Sequence, residues 1–258
     1  MGDIQMDPSN GVVIRSTANH AELQACIDLQ IEVWGFHPRD AVPIHQLVAA
    51  HEWGGRVLVA VVGDRVVGFC YGFAGRQYGK PALLSHMLAV LPEYRGQGIG
   101  VELKLAQARW ARDNGYDLIT WTFDPLEAAN ANLNIGRLGG IVRKYLVNHY
   151  GEMSDGLNRG LPSDRLLLEW HLRRPNGPPP PPVPGTARTC TIPRNFQAIK
   201  ATDPAAARCW RLQVREQIQE ALTQGYIISG FSADAQNGTY LMTREGVDAV
   251  SDLKPWTS

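Results

Sequence analysis

The segment that most constrains how this chain can fold is Leu84-Ser85-His86-Met87-Leu88-Ala89-Val90-Leu91-Pro92-Glu93-Tyr94-Arg95-Gly96-Gln97-Gly98-Ile99-Gly100. An apolar run passes through Pro92 into three glycines at alternate positions. An amphipathic run follows, with Ile99, Leu103, Ala106 and Trp110 on one face and Glu102, Arg109 and Asp113 opposite. That order predicts a strand, a tight turn and a helix. Glycine lets the backbone approach a ligand closely. A turn at a helix N-terminus also offers unpaired N–H groups where the helix dipole favours anions. The segment reads as a pyrophosphate cradle; the plainer alternative is a glycine-rich turn with no ligand.

Spacing narrows the ligand. A dinucleotide fingerprint would need its third glycine at Val101, and no Gly-Lys-Ser/Thr phosphate loop is present. What remains, Arg95-x-x-Gly98-x-Gly100, resembles the Q/R-x-x-G-x-G/A signature of the GNAT superfamily of acyl-CoA-dependent N-acyltransferases. The preceding Val90-Leu91-Pro92-Glu93-Tyr94 and the long helix that follows resemble the family as well.

With 258 residues, 44% hydrophobic and 19% charged, the chain suits one large domain or two small ones with genuine cores. Its formal net charge is +0 and it has no basic run, so nucleic acid is not an expected partner. No apolar stretch reaches membrane-spanning length, and Met1 to Gln5 is not a secretory leader, so no membrane partner is expected. Cys26, Cys70, Cys190 and Cys209 fit neither a zinc spacing nor a disulfide framework. They read as reduced thiols of a cytoplasmic protein, and no metal site is expected.

Taken in order, residues 1–10 read as a disordered tail. Val12 to Arg15 is a short strand, and Asn19 caps a helix to about Trp34, with Leu23, Ile27, Ile31 and Trp34 at helical spacing. A second short helix covers about Ile44 to His51. Two apolar runs, Val57–Val62 and Val66–Phe73, flank Gly63-Asp64 as a hairpin. After the glycine turn and its helix, which Gly115 ends, Leu118–Phe123 is a buried strand closed by Asp124-Pro125. A helix from Leu126 to Leu138 stops at Gly139-Gly140. Ile141–Leu146 and Arg165–His171 are further strands.

This order is the GNAT order, so the resemblance covers about residues 10–172. It implies an α+β (mixed α/β) fold with a mostly antiparallel central sheet flanked by helices. The proline run Pro178 to Pro182 favours a stiff spacer, with a proline-recognition ligand as the alternative. The expected organisation is therefore an acyltransferase domain at 1–173, a linker at 174–187 and a small C-terminal α+β module at 188–258. In that module Phe196–Lys200 reads as a strand, and Asp203 caps a helix with Pro204 at its first position. Asn237-Gly238 reads as a hairpin turn. So small a unit is expected to dock on the first domain or on a partner subunit, which makes it a candidate homodimer surface.

The resemblance also implies site roles. The N–H groups of Arg95, Gly96, Gln97, Gly98, Ile99 and Gly100 would hold the pyrophosphate of acetyl-CoA or succinyl-CoA. Leu88 and Val90 match the backbone partners of the pantetheine arm, and the thioester would lie between Val90 and Phe123. The family tyrosine four residues before the helix-ending glycine is absent: Ile135 or Gly136 stands there. Thiolate protonation would then come from water or from another residue, for which Tyr145 and Tyr150 are the candidates. His86 is a candidate base by its natural pKa, or else a satisfied histidine of the sheet. Asp124, at the end of a strand where open sheets carry function, is a second catalytic candidate, or else an N-cap. Asn130 is the nearest fit to a family asparagine that meets the cofactor arm. Asn134 shares its helical face while Asn132 points away. Arg137, one turn on, could take a substrate carboxylate with two prongs; the alternative for all of these is a solvated helix face.

Deprotonating an α-amine of pKa about 7.8 at pH 7 costs roughly 1 kcal/mol, against roughly 4.6 for a lysine side chain. With no evident strong base, an α-amine is the easier acceptor. Trp121 to Leu126 with the asparagine cluster resembles a GNAT subgroup of amino-acid N-acetyl and N-succinyl transfer. A small-molecule amine is therefore the expected acceptor. The alternatives are a protein N-terminus or lysine, and a non-catalytic acyl-CoA sensor or scaffold.

Overall fold

The computed structural model describes residues 11–152, 160–172 and 187–244. The expected N-terminal tail and the proline run fall outside these residues. The chain divides into two compact units, one ending at Ile119 and one beginning at Thr120.

The first unit contains β1 (Val12–Ser16), α1 (His20–Trp34), α2 (Ile44–Glu52), β2 (Arg56–Val62), β3 (Arg65–Gln77), β4 (Lys80–Val90) and α3 (Ile99–Asp113). A single 3₁₀ turn, Pro92–Tyr94, lies between β4 and α3. The strands run β1-β2-β3-β4, each neighbouring pair antiparallel. Asn19 caps α1 as expected, its side-chain oxygen accepting from the N–H of Ala21 at 2.9 Å and of Glu22 at 3.3 Å. Gly63-Asp64 is a two-residue turn. A second two-residue turn, Tyr78-Gly79, has φ of 52° and 73° and carries the next hairpin well beyond the apolar run that starts at Leu84. Tyr71 meets Gln46 of α2 while its neighbour Gly72 lies against Gln107 of α3. Strand alternation therefore sets α2 and α3 on opposite faces of the sheet. Leu23, Cys26, Leu47, Val59, Phe69 and Leu103 belong to the shared core.

The second unit holds most of β5 (Leu118–Phe123), then α4 (Ala128–Ala131), a π-helical turn (Asn132–Arg137), β6 (Ile141–Leu146) and β7 (Arg165–His171). It continues with β8 (Arg188–Pro193), α5 (Phe196–Thr202), α6 (Pro204–Thr223), β9 (Tyr226–Ala233) and β10 (Asn237–Arg244). The strand order is β5-β7-β6-β9-β10-β8. Phe123, Ile135, Val142 and Leu168 pack in one core with Ile192, Val214, Ile218, Ile228 and Tyr240. Residues on both sides of the 174–187 segment thus share one interior, and Val142 pairs directly with Ile228.

Three local expectations change. Phe196–Lys200 is helical, because the Asn195 side chain accepts from the Ala198 N–H at 3.3 Å and caps α5. Asn237-Gly238 lies inside β10, and the reversal is made one step earlier. There the Asp234 carboxylate accepts from the N–H groups of Gln236 at 2.7 Å and Asn237 at 2.8 Å. Gly238 is needed for close approach: a Cβ there would stand 2.4 Å from the Phe231 ring. The continuous helix expected over 126–138 is one α turn followed by a π turn, with the Leu138 N–H donating to the Leu133 carbonyl five residues back. Among the described residues no helix is long and apolar enough to cross a membrane. All four cysteines are unpaired.

Candidate functional site

At the end of β4 the Leu91 N–H donates to the Val67 carbonyl at 2.9 Å, and the 3₁₀ turn leads the chain to Gly96 and Gly98. Both glycines have left-handed backbone, φ 78° and 83°, which is where glycine is required. The Glu102 N–H donates to the Gly98 carbonyl at 3.1 Å and starts α3. Among the described residues, no protein oxygen accepts from the N–H of Gly96, Gln97, Gly98, Ile99 or Gly100. These donors sit at the positive end of a 15-residue helix. Gly100 is different from the other two. Its φ is not positive, and a Cβ there would touch only Leu88 Cδ2, at 3.8 Å. The fold does not itself demand glycine at 100, whereas a ligand lying against the turn would. Arg95 Nε donates to the Val90 carbonyl at 3.1 Å and Gln97 Nε2 to the Glu93 carbonyl at 3.3 Å, so both side chains brace the turn. This donor set fits the pyrophosphate of a CoA thioester.

His86 occupies a β-bulge. Tyr71 pairs with Met87 and Gly72 with Ser85, which leaves His86 as the extra residue of β4. Ser85 turns toward α3. His86 lies on the other face, its ring 5.9 Å from that of Tyr71, edge-on at 89°, and 5.7 Å from that of Phe73. The side chain remains exposed on its open side. The apolar surroundings lower its pKa from the ordinary histidine value, so the imidazole is neutral at pH 7. Among the described residues nothing hydrogen-bonds to it. A neutral, unengaged imidazole at a bulge is suited to accept a proton.

Beneath the bulge lies a polar cluster that the sequence pattern did not reveal. Lys104 and Gln107 of α3 are buried at 2% and 0% exposure. Lys104 Nζ donates to Ser85 Oγ at 2.8 Å and to Gln107 Oε1 at 3.0 Å. Burial pushes the Lys104 pKa down to about 8. Nothing in helical periodicity distinguishes a buried lysine from a solvated one.

In the second unit, Asp124 is engaged by helix α6. Its Oδ1 accepts from the Leu126 N–H at 2.8 Å, and Arg211 grips both carboxylate oxygens at 2.8 and 2.6 Å. Arg165 stands 3.7 Å away. Tyr145 is buried, and its hydroxyl donates to Asp164 Oδ2 at 2.7 Å. Burial and that hydrogen bond together push its pKa far up, which opposes proton donation. Tyr150, in contrast, is 47% exposed, with its hydroxyl 2.9 Å from Thr122 Oγ1. Asn130 and Arg137 are exposed while Asn134 is buried, because the π turn alters the face that a regular helix would present. The turn, Leu88, Val90 and His86 lie in the first unit; Asp124, Asn130, Asn134, Arg137 and Tyr145 lie in the second.

Residues 22–133 match the model of the Acetyltransferase (GNAT) family. No curated protein matches the chain. A GNAT-family protein from Desulfovibrio desulfuricans has a similar structure at 16% identity and TM-score 0.51, covering 62% of this chain and 99% of its own. The ribosomal-protein-S18-alanine N-acetyltransferase of Escherichia coli is similar at 14% identity and TM-score 0.51, covering 64% of this chain and 96% of its own. At these identities the likeness concerns the fold alone, and it agrees with the mostly antiparallel sheet flanked by helices described above. Residues 22–133 are thus similar to a GNAT acetyltransferase domain, and the fold of the chain is similar to that of solved GNAT-family structures.

Proposed function

We propose that the protein transfers an acetyl or succinyl group from CoA to the amine of an amino acid or similar small molecule. The observation that carries the reading is the row of unsatisfied N–H groups from Gly96 to Gly100 at the start of α3. Such a row holds a pyrophosphate through hydrogen bonds and the helix dipole together. A bound thioester supplies an activated acyl carbon with a good leaving group. The protein's part is then to hold the donor, orient the amine and take its proton.

His86 is the base in this reading. Its imidazole is neutral at pH 7 and open on one side. An α-amine already loses its proton at a cost of roughly 1 kcal/mol at pH 7, so a weak base suffices. Arg137 and Asn130, both exposed, are the side chains proposed to meet the acceptor carboxylate and the cofactor arm, with Asn134 behind them. Asp124 acts through its ion pair, holding the end of β5.

The test is a thermal-shift titration with CoA, acetyl-CoA and succinyl-CoA on the wild type and Gly98→Trp, followed by an amine screen with the better-bound thioester. Ligand at a hundred times its dissociation constant should stabilise the fold by about 2.7 kcal/mol. A shift that disappears in a folded Gly98→Trp protein supports the turn as the cradle. No shift with any of the three refutes the reading.

A further inference from the structure

Asp164 has no exposed surface, and its carboxylate is saturated with donors. Oδ1 accepts from the Asn148 N–H at 3.0 Å and Arg215 Nη2 at 2.9 Å; Oδ2 accepts from the Tyr145 hydroxyl at 2.7 Å and Arg215 Nε at 2.8 Å. A buried carboxylate persists only when paired and hydrogen-bonded in this way. The chain from it leads outward. Asn148 is held at φ 46°, and its side-chain oxygen accepts from the Ser163 N–H at 3.1 Å. Ser163 Oγ in turn accepts from the Tyr150 N–H at 2.9 Å and donates to the Gly151 carbonyl at 2.8 Å. The Tyr150 ring lies 5.3 Å from the Arg165 guanidinium, and its hydroxyl meets Thr122 near the end of β5. One turn before Arg215 on the same helical face, Arg211 grips Asp124 at the exit of that strand.

We infer that α6 is a positioning element for the N-acyl transfer proposed above. Arg215, acting through Asp164, sets the Tyr150 hydroxyl beside Thr122, while Arg211 sets the Asp124 turn next to it. Tyr150, not Tyr145, is the tyrosine whose hydroxyl is left accessible to a ligand. The C-terminal segment thereby becomes part of the site-building fold. The inference rests on the acyltransferase reading, and its test has one readout that does not need turnover.

Arg215→Met, Arg215→Lys and Val214→Ala are compared in the full chain at a temperature where the wild type is fully folded. Val214 is a buried core residue of the same helix that makes none of these polar contacts. Hydrogen exchange of the Asn148 and Tyr150 amides is measured beside kcat and the KM values for thioester and amine. Misplacing a catalytic group by about an ångström costs up to about 100-fold. Arg215→Met should therefore lower kcat at least tenfold with the thioester KM nearly unchanged, and should speed exchange of both amides. Arg215→Lys should recover part of both effects, and Val214→Ala should show neither. Equal kcat in Arg215→Met and Val214→Ala overturns the inference, as does a kcat loss without faster exchange. If Arg215→Met does not fold, Arg215→Lys decides: its one-pronged contact should still cost kcat several-fold and speed exchange, and wild-type values overturn the inference. A wild type that binds thioester but acylates no amine overturns the function reading alone, since the exchange measurement still tests the clamp.

Discussion

The buried Lys104 makes stability depend on pH in a way that can be worked out from the structure. Its side chain is sealed between α3 and the sheet, donating to Ser85 and Gln107. Burial lowers its pKa from 10.5 to about 8. Below pH 8 the amine is protonated in both folded and unfolded chains, and the folded state carries the cost of a buried cation. Between about pH 8 and 10.5 the unfolded chain still binds the proton and the folded one does not. Stability from this group therefore rises with pH across that window. The total, at about 1.36 kcal/mol per pKa unit, is about 3 kcal/mol. Cys70, buried nearby, acts in the opposite direction: burial raises its pKa above the usual 9.0, so its contribution falls as pH rises past that value. Comparing the wild type with Lys104→Met removes this shared background. Urea unfolding followed by tryptophan fluorescence at pH 7 to 10.5 gives the two stability curves. Their difference, wild type minus Lys104→Met, should climb by about 3 kcal/mol over the window. A flat or falling difference would refute the reasoning, because a lysine with an ordinary folded pKa produces neither window nor slope.

The remaining predictions concern the turn, the bulge and the second unit. Gly100→Leu should fold, since a Cβ there meets only Leu88 Cδ2 at 3.8 Å, yet should raise the KM for acetyl-CoA at least tenfold in steady-state assays. His86→Gln should lower kcat/KM by about 100-fold or more, the usual contribution of a positioned general base. Beyond the loss from protonating the amine itself, the wild-type pH profile should show a second acid-side loss, below the ordinary histidine range and missing in His86→Gln, because the surroundings of His86 lower its pKa. Tyr145→Phe removes one donor from buried Asp164; it should cost about 1–3 kcal/mol in denaturant unfolding and leave kcat unchanged. A large loss of kcat in that variant, without the faster Tyr150 amide exchange that a displaced clamp would give, would return the acid role to Tyr145.

What the sequence determined by itself is local. Proline after an apolar run, glycines at 96 and 98, and an amphipathic stretch behind them carry strand, turn and helix without outside help, because φ restrictions and capping act over a few residues. Asn19 as a cap, Gly115 as a helix end and Gly63-Asp64 as a turn belong to the same class. The resemblance to the GNAT family was legible for this reason. Tertiary contacts decided the rest. The bulge that exposes His86 is a register event between two strands, and neither strand records it alone. Phe196–Lys200 reads as a strand in isolation, but Asn195 caps it as a helix within the core of the second unit. Asn237-Gly238 has hairpin composition, yet the Asp234 side chain turns the chain first and Gly238 is used to pass the Phe231 ring. The engagement of Asp124 and Asp164 came from Arg211 and Arg215, 87 and 51 residues away. No window of sequence couples such positions, because what joins them is charge-assisted hydrogen bonding in a low-dielectric interior, which exists only after the chain has folded.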